Sequence, residues 1–116
     1  VGTLVFLMGV KSLPRIAENL IRFGRSPDTP VAVIRWGTTP QHASIDGTLA
    51  DIARKVKEAG IKPPAIIVVG GVAALRKEIN WYEKRPLLGR QILITRARSQ
   101  ASELVELLEQ RGAQCI

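Results

Sequence analysis

Three short apolar runs, Thr3 to Met8, Val31 to Ile34 and Ala65 to Val69, dominate this chain, and each gives way to a glycine soon afterwards, at Gly9, Gly37 and Gly70. Runs of that length without polar alternation read as strands buried on both faces. Between them lie helical periodicities. Leu13, Ile16, Ala17, Leu20 and Ile21 recur with helical spacing, with Ser12 placed to cap, Pro14 in the first turn and Gly24 as the stop. Leu49, Ile52, Ala53 and Val56 form a second helical face ending at Gly60, and Thr48 and Asp51 are spaced as a capping box. Strands alternating with helices imply an α/β fold of three layers around a mostly parallel sheet. Gln41 to Gly47 alternates weakly, reads as a short half-exposed strand, and makes the sheet mixed. Gly70-Gly71 ends the third run, and a short helix over Val72 to Ile79 is expected to turn Leu75 and Ile79 inward.

A charged run closed by proline, Glu83-Lys84-Arg85-Pro86, marks a boundary, after which the pattern restarts. Gln91 to Thr95 reads as a strand. Ser99 is placed to cap a helix with Ala101, Leu104, Val105 and Leu108 on one face, Gly112 stops it, and Cys115-Ile116 opens another strand. One strand and one amphipathic helix cannot bury each other's apolar surface. Residues 1–85 therefore read as one domain and residues 86–116 as a truncated strand-helix segment of a second. The first residue is Val1 rather than Met, which reads as an internal stretch of a longer protein.

The net charge of +7, from 17 basic and 10 acidic residues, raises nucleic-acid binding as a reading. The basic residues are scattered, however, and two Trp, one Tyr and two Phe are too few for a base-stacking platform. A solvated basic surface accounts for the charge better, so no nucleic-acid partner is expected. The single cysteine, Cys115, excludes an internal disulfide and fits a reducing, cytoplasmic setting. The longest apolar stretch is strand-sized, well short of the ~20 residues of a spanning helix, and no secretory leader is present, so no membrane association is expected.

Taken singly, the candidate functional residues have ordinary readings. Met8 at the end of a buried strand reads as core filler, Gly37 as a turn glycine, and Thr38 and Thr39 as turn-shaping residues. His42, the lone histidine, lies in a loop without an adjacent Asp or Cys and reads as solvated. Asp51 reads as a cap and Asp46 as surface. Gly70-Gly71 carries neither nucleotide-binding fingerprint.

Taken as an ordered set, they say more. Met8-Gly9 is followed by Arg35-Trp36-Gly37-Thr38-Thr39-Pro40, Gly47-Thr48-Leu49, Pro63-Pro64 leading into Ala65 to Gly70, Leu75-Arg76-Lys77 and Asn80-Trp81. This series resembles the C-terminal lobe of the uroporphyrinogen-III C-methyltransferases, S-adenosylmethionine-dependent enzymes of the sirohaem and cobalamin branch. The run Leu87 to Arg96, followed by Gln100-Ala101 and Leu104, resembles the start of uroporphyrinogen-III synthase.

The resemblance implies the tetrapyrrole methylase fold, with S-adenosyl-L-methionine as co-substrate and Met8, Gly37 and Thr38 as cofactor-binding residues. It implies no catalytic residue here, because the family's Gly-rich loop and proton-transferring groups lie in an N-terminal lobe without a counterpart in this sequence. Gly71 departs from the acidic residue common at that position. No metal is implied. The tetrapyrrole would be engaged through the other lobe, the protein would be a homodimer, and this stretch alone would be inactive. The parent would methylate uroporphyrinogen III twice to precorrin-2, and the fused domain would cyclise hydroxymethylbilane to uroporphyrinogen III. Three alternatives stay open: a sibling corrin-pathway methyltransferase, a basic nucleic-acid-binding module and a self-associating lobe.

Overall fold

The computed structural model describes residues 2–116. β1 (Leu4–Leu7) leads through a 3-10 turn (Val10–Ser12) into α1 (Leu13–Arg22), followed by β2 (Pro30–Arg35), β3 (Ala43–Thr48), α2 (Ile52–Ala59) and β4 (Ile66–Val69). A second 3-10 turn (Gly71–Leu75) and α3 (Arg76–Ile79) come next, then β5 (Gln91–Ile92), α4 (Arg98–Gln110) and β6 (Gln114–Cys115). The chain forms two compact units. One runs up to Gly37 and resumes over Ala43–Ile79, and the other comprises Thr38–His42 and Asn80–Ile116. The break after Ile79 thus falls ahead of the Glu83 to Pro86 run.

In the first unit the strand order is β1-β4-β2-β3, and each neighbouring pair is antiparallel. The α/β class is as expected, but the mostly parallel pairing is not. The helical crossover from β1 to β2 does leave those two strands running in the same direction. β4 then inserts between them in the opposite sense, and β3 folds back on β2 as a hairpin, so no parallel neighbours form.

Alternation along the strands decides what is buried. Val31, Val33, Ile67 and Val69 point to one face, where Leu13 and Ala17 of α1 and Ile52 and Val56 of α2 close the core. The other face is only partly covered. Ala32 is buried on it and Ala73 is buried in the second 3-10 turn, while α3 is tied down by Arg76, which donates to Asp46 and Ser44 of β3. Val5, Leu7 and Ile66 stay exposed, so β1 and β4 are buried on one face rather than two. Leu75 and Ile79 are exposed too, contrary to expectation, because the segment begins as a 3-10 turn with three residues per turn. That tighter winding shifts the phase and brings Ala73 inward instead.

Helix ends follow local chemistry. The Thr48 N–H donates to Asp51 Oδ1 at 2.8 Å, which is one half of the expected capping box, while the Asp51 N–H goes to the Thr48 carbonyl at 3.2 Å and α2 itself begins one residue later, at Ile52. The Thr48 amide, aided by Lys55 against the opposing effect of burial, holds the Asp51 carboxyl below its ordinary value. Gly47 leaves room for that carboxylate, since a Cβ there would lie 2.5 Å from Asp51 Oδ1. Gly60 closes α2 with φ +68°, the left-handed C-terminal position that glycine tolerates best. Ser12 makes no side-chain cap to α1, which begins with a proline in its first turn, where a missing N–H is harmless.

The second unit carries a βαβ turn. β5 and β6 pair in parallel across α4, and the Ile94 N–H to Ile116 carbonyl bond at 2.9 Å continues the pairing. α4 starts at Arg98 with Ala97 as its N-terminal flank, so Ser99 lies inside the helix rather than capping it. Ala101 is buried, but Leu104 is half exposed.

Candidate functional site

Because β1 and β2 run the same way, their C-terminal ends lie at one edge of the first unit's sheet. The start of β4 lies there too, since Ile66 is in register with both Leu7 and Ile34. Beyond this row the chain turns away at Met8 and at Trp36-Gly37, and arrives through Pro64-Ala65. Together these residues line a cavity of about 530 Å³, within the range of small-molecule sites. Met8 and Gly37 therefore meet at one edge.

Met8 is 77% exposed, which overturns the core-filler reading. Met8 and Trp36 both have left-handed backbones, with φ of +59° and +52°. Each such residue costs about 1–3 kcal/mol, and such outliers gather where a ligand is gripped. Here the left-handed residue ends the strand abruptly and turns the following glycine off the sheet edge. The two glycines then do different work. Gly9 is buried, and a Cβ there would come 3.0 Å from Ile67 Cδ1 and 3.2 Å from Ile16 Cδ1, so it is glycine for core packing. Gly37 is exposed, and its Cβ would meet Ile34 Cγ2 at 3.3 Å with nothing else near, so it keeps the cavity side of the backbone open.

The cavity wall is apolar, built from Leu7, Met8, Ile34, Trp36, Ala65 and Ile66 around that bare backbone. Such a surface suits a flat, largely apolar group held by main-chain contacts. Arg35 adds polarity nearby. Its guanidinium carbon lies 5.5 Å from the Trp36 ring centre, and its Nε is buried without a hydrogen-bond partner.

Thr38, the third expected site residue, belongs to the second unit and does not line this cavity. It too is left-handed, at φ +63°, and its N–H donates to His42 Nδ1 at 3.3 Å. His42 is not solvated. Its side chain is 11% exposed and paired with Glu83. The reading as solvated failed because the partner lies 41 residues away. Asp46 is likewise no free surface carboxylate, being bound by Arg76 through Oδ2 while Oδ1 is buried without a partner. Trp81 lies on the surface, edge-on to Tyr82, with Arg85 stacked 4.6 Å from its ring centre. Among the described residues, no cluster of three His, Cys, Asp or Glu side chains could hold a metal, and no helix is long and apolar enough to cross a membrane.

Comparison with known proteins finds relatives in one family. Residues 1–53 match the family of Tetrapyrrole (Corrin/Porphyrin) Methylases. The chain is 42% identical over 116 residues to the uroporphyrinogen-III C-methyltransferase of Bacillus subtilis, covering all of this chain and 24% of that protein. It is 42% identical over 113 residues to the porphyrin biosynthesis protein HemD of Ruminiclostridium josui, covering 97% of this chain and 22% of that protein. The siroheme synthase of Pseudoalteromonas atlantica is 48% identical over 80 residues, or 69% of this chain and 17% of that protein. The chain thus spans about a quarter or less of these relatives. Among solved structures, uroporphyrin-III C-methyl transferase from Thermus thermophilus complexed with S-adenyl homocysteine superposes with a TM-score of 0.57 at 33% identity, over 65% of this chain and 33% of that one. Cobalt precorrin-4 methyltransferase superposes with a TM-score of 0.57 at 26% identity, over 59% of this chain and 28% of that one. In sequence and in fold, the chain is similar to the tetrapyrrole methylases, and over its whole length to a uroporphyrinogen-III C-methyltransferase.

Proposed function

We propose that this chain supplies the C-terminal lobe of an S-adenosylmethionine-dependent methyltransferase acting on uroporphyrinogen III, as part of a longer protein. The observation that carries the reading is the shared sheet edge, where exposed Met8 and open Gly37 line one apolar cavity. Met8 and Gly37 would lie against the adenosyl part of the cofactor, with the Thr38 turn beside them in the chain. The bare Gly37 backbone and the absence of charged side chains from the wall fit a flat nucleoside. When bound, S-adenosylmethionine supplies an electrophilic methyl group on a sulfonium sulfur. This chain's part is to bind and orient it, since methyl transfer depends chiefly on holding donor and acceptor in line. The tetrapyrrole would be held through a second lobe, and the chain alone would be inactive.

We read residues 86–116 as the opening of a fused uroporphyrinogen-III synthase, which would cyclise hydroxymethylbilane to the methyltransferase's substrate. Two relatives match over all or nearly all of this chain, whereas the siroheme synthase of Pseudoalteromonas atlantica matches over 80 residues. That difference supports a separable tail. Higher identity to the uroporphyrin-III enzyme than to the cobalt precorrin-4 enzyme favours the first substrate over its corrin-pathway sibling. The exposed outer face of the sheet supports assembly as a homodimer.

The test is methyl transfer by the whole protein. Given S-adenosylmethionine and uroporphyrinogen III, it should yield a product carrying two added methyl groups, read by mass spectrometry. Transfer to a corrinoid substrate but not to uroporphyrinogen III would move the assignment to the sibling enzymes.

A further inference from the structure

His42 has no ring nitrogen to spare. Nδ1 accepts the Thr38 N–H at 3.3 Å, and Nε2 donates to Glu83 Oε1. The other Glu83 oxygen accepts from the Asn80 side-chain amide at 3.0 Å, and the Tyr82 ring flanks the imidazole with centroids 5.7 Å apart. The His42 N–H closes the turn on the Thr39 carbonyl at 3.0 Å. An accepting Nδ1 with a donating Nε2 defines one neutral tautomer. Neither nitrogen faces outward, so this imidazole is placed to hold the chain rather than to exchange protons with a substrate.

What it holds is unusual. Thr38 is β-branched and left-handed at φ +63°, a conformation that such a residue keeps only where its surroundings impose it. The imidazole grips the N–H of that residue. We propose that His42, braced by Glu83 and Asn80, is a positioning residue for Thr38, locking the left-handed turn that follows Gly37 and so presetting the backbone at the cofactor edge. The proposal rests on the reading of that edge as the cofactor site.

The test has two readouts in the whole protein: hydrogen exchange of the peptide spanning residues 36–43, and calorimetric affinity for S-adenosylhomocysteine. A lost hydrogen bond of ordinary strength corresponds to about a tenfold change. His42→Ala should speed exchange of the Thr38 amide in that peptide about tenfold and weaken binding by a similar factor. His42→Asn puts an amide oxygen near the Nδ1 position and should recover most of both, which a purely space-filling role would not produce. Unchanged exchange in His42→Ala, no recovery in His42→Asn, or faster exchange with unchanged affinity would each overturn the proposal. A wild-type protein that binds no S-adenosylhomocysteine, with exchange still dependent on His42, would instead refute the cofactor reading and take the positioning role with it.

Discussion

Gly37→Val in the whole protein is expected to weaken S-adenosylhomocysteine binding by about a hundredfold or more while leaving the fold nearly intact. The two effects separate because of where the new side chain goes. Towards the protein a Cβ meets Ile34 Cγ2 at 3.3 Å, a contact that a small shift relieves. Towards the cavity, the branched methyls occupy the space in which a ligand would rest on the backbone. A hundredfold loss is about 2.7 kcal/mol, a reasonable cost for displacing a ring from a fitted wall. Calorimetry and thermal melting check the pair of results. Wild-type affinity in the variant would remove Gly37 from the site, and a collapsed melt would make it a folding residue instead.

Ile67→Ala is expected to be the most damaging truncation of the first unit, costing about 3 kcal/mol. Ile67 is fully buried on the inner strand β4, in register with Phe6 on one side and Val33 on the other. Its Cδ1 also packs against the bare backbone of Gly9. A domain of this kind has about 5–15 kcal/mol in total, so the loss is a large share. Ile66→Ala, one residue away on the exposed face, should cost less than about 1 kcal/mol. Urea unfolding of the two variants measures the contrast, and equal losses would mean that the outer face is as well packed as the inner one.

Most of the elements were legible from periodicity, because helix and strand repeats survive whatever the tertiary arrangement. The α1 stripe, the α2 face and the Gly60 stop appear where the residues place them, and the Thr48–Asp51 box forms in one half only, just ahead of the helix. Pairing was less legible. The strand-helix-strand rule sets the relative direction of β1 and β2, but nothing local announces that β4, arriving later in the chain, will insert between them. One-sided burial of β1 followed from the same gap, since an apolar run looks alike whether one face is covered or both.

The site was legible in outline and not in its mechanics. Glycine after an apolar run marks a strand end, and two such ends at one edge make a cavity. The division of labour between Gly9, which fills no space in the core, and Gly37, which leaves the cavity open, depends on distances to Ile67 and Ile34. The left-handed backbones of Met8, Trp36 and Thr38 carry no residue signature, because none of these types favours that conformation. The His42–Glu83 pair joins residues far apart in the chain, and a lone histidine gives no hint of such a partner.

The central claim is that this chain is one wall of a cofactor cleft and not a complete site. Calorimetric titration of S-adenosylhomocysteine into the chain and into the whole protein, side by side, tests it most directly. Apolar contact along one edge does not offset the lost freedom of a bound nucleoside, so the chain alone should give no measurable heat, and the whole protein should bind at roughly micromolar concentration. Micromolar binding by the chain itself would contradict the account, because a single lobe would then suffice.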